Sequence, residues 1–224
     1  MSLDPRRSGA GPYTQDLPGI GKRLIDYSRI APIMGRLWSP IAAVTSQWQG
    51  KSNVQIAVAI AAASIVPHMP RVVVQIYKSN HSHDMIYRSG AFALNFLRPD
   101  QLQLIKYFGL VSGRDGDKLA GVPFDVRGSG SPLLQECWGF LDCRVVNAMD
   151  GGDMTCFLGE VLEGATITDG DPLWWRDARR LIPAEWNEEW DRKIAEDIKH
   201  SETTMGSIDY SPWKSGKSGR KPAI

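Results

Sequence analysis

Residues 71–97 read RVVVQIYKSNHSHDMIYRSGAFALNFL. Arg71 to Tyr77 is rich in β-branched residues and short enough for a strand. Ser82 to Ser89 has the length of a short helix, and Gly90 follows as turn chemistry. Phe92 to Leu97 is again strand-like. The polar centre, Lys78 to Asp84, carries two of the chain's four histidines. His81 and His83 point to opposite faces in a strand and lie some 200° apart on a helix, so neither geometry chelates a metal well. No third ligand stands nearby, and no metal is expected. Ser82 suits the cap of a helix beginning at His83, with Asp84 in its first turn. Free N–H groups at such a start, with Lys78 four residues upstream, also suit a phosphate. A solvated helix cap and an anion site both remain open on these residues.

Outward from this unit the strand pattern repeats. Pro40 to Ser46, Trp138 to Ala148 and Met154 to Ile167 are strand-like, and turn residues follow at Gln49-Gly50, Gly151-Gly152 and Gly170. Pro99 to Phe108 is a second short helix with an apolar side. The expected fold is mainly β with short helices, in a barrel-like arrangement. Residues 183–200 differ. Pro183 suits a first turn, acidic residues come early, and Lys199-His200 come late. Trp186, Trp190, Ile194 and Ile198 recur every four residues and form one apolar stripe. Residues 1–30 read as an N-terminal arm, 31–178 as the barrel domain, and 179–224 as a C-terminal helix with a flexible tail after Met205.

Bulk properties narrow the function. The chain has 224 residues, is 42% hydrophobic and carries a net charge of +1. Nothing in that charge argues for a nucleic acid or an anionic membrane. Three cysteines without a metal or disulfide spacing read as reduced thiols. The most apolar run, Ile56 to Val66, is too short to span a bilayer. The first residues have no apolar signal core. A cytoplasmic protein is expected. Gly19 to Lys22 and Ser215 to Ser218 are incomplete P-loop matches, and no Gly-x-Gly-x-x-Gly or Gly-x-Ser-x-Gly frame occurs.

Four motifs, in order, resemble the flavin reductase-like family, whose members fold as an FMN-binding split β-barrel. The first is Val44-Thr45-Ser46, the Gly50 turn and Asn53, closing at Ser64-Ile65-Val66-Pro67-x-x-Pro70. The second is Lys78-x-x-x-Ser82-His83-Asp84 with Ser89-Gly90-x-Phe92-x-x-Asn95. The third is Phe108-Gly109-x-x-Ser112-Gly113-Arg114-x-x-Asp117-Lys118-Leu119. The fourth is Gly152-Asp153-Met154-Thr155-x-Phe157-x-Gly159-Glu160-Val161, then Gly170-Asp171-Pro172-Leu173. The resemblance covers about Pro32 to Trp175.

It implies FMN as cofactor, with Lys78 and Ser82 at the phosphate, Asn53 and the Ala61–Ser64 bend near the flavin, Thr45 and Ser46 as further contacts, and Lys118 closing the ring end. It implies a homodimer and an oxidoreductase that moves electrons from NAD(P)H through flavin to an acceptor. The alternative is a flavoredoxin-like electron carrier reduced by a redox partner protein. Met154 departs from the family pattern: reductases of this type often carry His there, and methionine offers no comparable donor or charge. No further residue is assigned to the reaction on this basis.

Overall fold

The computed structural model describes residues 27–214. Most of the expected N-terminal arm, the end of the expected tail and both P-loop-like stretches lie outside the described residues.

The first described element is a helix, α1 (Tyr27–Met34), which spans the boundary between the expected N-terminal arm and the barrel domain. Then come β1 (Ala42–Trp48), β2 (Lys51–Ala57), β3 (Ile60–Ala62), β4 (Arg71–Tyr77), α2 (His81–Ser89), β5 (Ala91–Phe96) and α3 (Leu102–Gly109). They are followed by β6 (Phe124–Val126), β7 (Pro132–Leu134), β8 (Gly139–Asp150), β9 (Met154–Thr166), α4 (Trp175–Leu181) and α5 (Ala184–Thr204). Seven strands form one sheet in the order β2-β1-β5-β8-β9-β4-β3, and every neighbouring pair is antiparallel. The sheet curls into a split barrel. β6 and β7 form a separate ribbon.

Alternation along the strands sends side chains to two cores. Ala42 and Val44 of β1, Val72, Val74 and Ile76 of β4, Phe92 and Leu94 of β5, and Phe157 of β9 share one cluster with Ile86 of α2. Ala43 of β1 and Ala93 of β5 face the other way, into a cluster with Ile105 and Phe108 of α3 and with Trp175 and Ala178 of α4. Trp186 and Trp190 of α5 pack against this second cluster. The tryptophan half of the stripe therefore lies on its own barrel, whereas Ile198 is exposed, and no residue of α5 is fully buried.

β2 is a strand where the sequence suggests only a turn and Asn53. The turn explains the pairing: Gln49 and Gly50 have φ of 51° and 77°, the double positive-φ geometry that closes a two-residue hairpin. The apolar run at 56–66 is divided between the end of β2, β3 and a loop. α2 begins at His81 with Asn80 as its cap residue, which makes no side-chain cap bond. Ser82 is thus the second helical residue and not the cap, which corrects the expected start at His83.

Candidate functional site

A cavity of about 680 Å³ opens where β2, the start of α2, the end of α3 and α5 converge. β2 contributes Asn53, Gln55 and Ile56, and the β4–α2 connection contributes Tyr77, Ser79, Asn80, His81 and Ser82. The segment after α3 supplies Ser112, Gly113, Arg114 and Lys118. The outer wall is α5, through Glu189, Trp190, Arg192, Lys193, Ile194, Glu196 and Asp197.

Three of the expected site residues meet here. Asn53 is buried and its Nδ2 donates to Ser82 Oγ at 2.7 Å. Because Ser82 accepts this bond, its own hydroxyl proton is free for an acceptor. Gly113 lies so close that a β-carbon there would stand 2.0 Å from Asn53 Oδ1. Lys118 is 5% exposed, and its Nζ donates to the carbonyls of Phe108 at 2.9 Å and Val111 at 3.1 Å. Phe108 lies in the last turn of α3, where carbonyls lack helical partners. Burial, with a smaller contribution from the charge of Lys193, lowers the Lys118 ammonium to about 8. Burial likewise lowers the His81 imidazole, and the Arg114 and Lys118 charges add to it against Asp84. This end of the cavity disfavours additional positive charge.

The other expected residues stand elsewhere. The Lys78 ammonium lies 2.6 Å from Asp150 Oδ1 and is not part of the cavity lining. Asp150 also accepts from the N–H groups of Gly152 and Asp209. Thr45 donates to the Pro132 carbonyl and accepts from Asn95 Nδ2 at 3.1 Å, tying β7 to the sheet. Ser46 turns to Met85 Sδ at 3.9 Å, beneath α2. Ala61 is exposed on β3, and Ser64 lies in the loop beyond it. Met154 is half-buried at the start of β9, opposite Tyr77, and does not line the cavity. His83 is drawn inward, its Nε2 2.8 Å from Thr155 Oγ1.

Several lining residues escape sequence reading. Arg114 reaches across to the Ser79 carbonyl at 3.0 Å and joins two loops. Gln55 Oε1 and Ser79 Oγ are enclosed without a hydrogen-bond partner in walls of the cavity. Buried polar atoms are usually paired, so both are available to a ligand. Among the described residues, no group of three or more His, Cys, Asp or Glu side chains is placed to hold a metal.

Residues 34–182 match the family model described as "Flavin reductase like domain". The chain belongs to the flavin reductase-like family. It is 31% identical over 149 residues to the reductase component of a 4-nitrophenol 4-monooxygenase/4-nitrocatechol 2-monooxygenase from Rhodococcus opacus, covering 66% of this chain and 77% of that one. Nitrilotriacetate monooxygenase component B from Mycobacterium thermoresistibile superposes with a TM-score of 0.57 at 26% identity, over 66% of this chain and 81% of that one. A high molecular weight rubredoxin from Moorella thermoacetica is 30% identical over 132 residues, or 58% of this chain. This flavin reductase-like chain spans only 57% of that relative's length. The family match ends at 182, and α5 lies beyond the matched residues. The cavity is therefore lined by matched residues on three sides and by α5 on the fourth.

Proposed function

We propose that the chain is an FMN-binding oxidoreductase that takes electrons from NAD(P)H and passes them to an acceptor. One observation carries the reading: a single cavity brings a cationic helix-start end together with walls that hold unsatisfied polar atoms. Ser82 and the first-turn N–H groups of α2 suit a phosphate, with Arg114 and Lys118 supplying charge. Gln55 Oε1 can accept from an N–H, and Ser79 Oγ can donate or accept. Asn53 positions the Ser82 hydroxyl through its 2.7 Å bond. Ile56, Phe108 and Trp190 supply apolar wall and exclude water. When bound, the flavin supplies the hydride-accepting and electron-donating ring. FMN is preferred to FAD because the cavity has one phosphate-suited end and the sequence has no dinucleotide fingerprint.

The monooxygenase reductase component from Rhodococcus opacus supports the enzyme reading. We further propose a cytoplasmic homodimer, consistent with the absence among the described residues of a helix long and apolar enough to cross a membrane. Residues 31–178 form its barrel unit and 179–224 its extension.

The absorbance spectrum of the purified protein, before and after adding FMN, tests the reading. A bound flavin spectrum, FMN as the released cofactor and oxidation of NADH or NADPH are expected. No flavin spectrum in either condition overturns the proposal. Flavin that dithionite reduces but neither nicotinamide reduces assigns the chain as an electron carrier instead.

A further inference from the structure

α5 forms the outer wall of the cavity and packs on the barrel through Trp186 and Trp190. The helix buries no residue completely. It is held at one end by Trp190, which lies over Gly109 so closely that a β-carbon there would stand 2.8 Å from its ring. Trp190 also meets Trp175 at 5.3 Å between ring centroids. Lys106 of α3 adds an ion pair to Glu189 at 3.0 Å and sits 5.7 Å from the Trp186 ring. Exposed ion pairs of this kind contribute little. One turn further on, Lys193 lines the same cavity as Arg114 and Lys118. With Arg192, four cations line one space against three carboxylates, Glu189, Glu196 and Asp197, and like charges this close disfavour one another unless an anion joins them. Lys193 has a counter-ion on its own helix, Asp197 at 3.1 Å, and that carboxylate competes with any anion in the cavity. Glu189 is engaged with Lys106, and Glu196 is the remaining acidic group in the lining.

We propose that α5, through Lys193, forms part of the site for the flavin phosphate, so that FMN binding and docking of α5 on α3 reinforce each other. The inference rests on the flavin reading above and extends it to a helix beyond the residues matched by the family model. The reinforcement is reciprocal: whatever α5 adds to FMN affinity, FMN adds to the docking of α5. Riboflavin, which lacks the phosphate, gains nothing from Lys193.

The test titrates FMN and riboflavin into full-length wild type, Lys193→Gln and Asp197→Asn, and follows amide hydrogen exchange of residues 184–204. Loss of a hydrogen bond to a charged group corresponds to roughly a tenfold change in affinity. Lys193→Gln is expected to weaken FMN by that factor and leave riboflavin unchanged. Asp197→Asn, which frees the ammonium, is expected to tighten FMN alone. Saturating FMN is expected to slow exchange along α5. Unchanged FMN affinity in Lys193→Gln, equal losses for both flavins, or exchange in α5 that ignores FMN overturns this inference and leaves the flavin reading standing. Wild type that binds neither flavin removes both together.

Discussion

Lys118 shows how one buried ammonium can be read by pH. Its native value of about 8 lies below the 10.5 of an ordinary lysine, chiefly through burial. Between these values the unfolded chain keeps a proton that the native chain has lost, so this residue makes stability rise with pH from about 8 to 10.5. Below pH 8 both states are protonated and the contribution is constant. Urea unfolding across this range is expected to show that rise in wild type and lose it in Lys118→Met; equal slopes refute the assignment. Ser82→Ala removes a hydroxyl and leaves Asn53 Nδ2 without its acceptor. A loss of roughly tenfold in FMN affinity is expected by titration. Lys78→Ala is expected to behave differently: it frees a mostly buried Asp150 carboxylate, so melting temperature falls while FMN affinity in the folded protein holds. The sequence shows Lys78 and Ser82 as neighbours. It does not show that Asp150, reached only through the β8–β9 hairpin, takes Lys78, while Asn53, reached through β2, takes Ser82.

At the scale of elements, helices announced by periodicity are the most legible. The stripe Trp186, Trp190, Ile194 and Ile198 places α5 in the sequence within a few residues of its observed Ala184–Thr204 span. Its partner is not legible, because the contact depends on the absence of a side chain at Gly109. Hence Arg192 and Lys193 could not be assigned to the cavity from their spacing. β2 is hidden for a different reason: Lys51 and Ser52 open it with polar residues, and its identity comes from pairing with β1. Ending the chain after Ile182 removes the two tryptophans that cover the cluster around Phe108 and Trp175. Lower melting temperature and lower solubility are expected. Unchanged melting in that truncated protein would make α5 a dispensable appendage.

For the whole molecule, the fold follows from repeated strand signals with turns between them, and the motif order of the barrel is legible from about Pro32 to Trp175. The cavity is less so, since it is assembled from segments spread from Asn53 to Asp197. The surface adds a prediction about assembly. Ile65 is 98% exposed, with Val66 and Met69 also uncovered on the β3–β4 loop beside Ala61 and Ser64. A patch of this kind favours a contact with a second copy. Sedimentation is expected to give a dimer mass, and Ile65→Asp to shift it toward the monomer; a monomeric wild type removes the homodimer proposal. The sheet order carries one more consequence, for how the barrel comes into being. β4 pairs with β9, so that Arg71 meets Glu160, and only the short β3 can cover β4 until then. On a chain emerging from the ribosome, β4 waits for the β8–β9 hairpin, and pairing of strands so distant in sequence is the slow kind of contact to form. The apolar row Val72, Val74 and Ile76 therefore sits on a strand that keeps one unpaired edge until β9 is made.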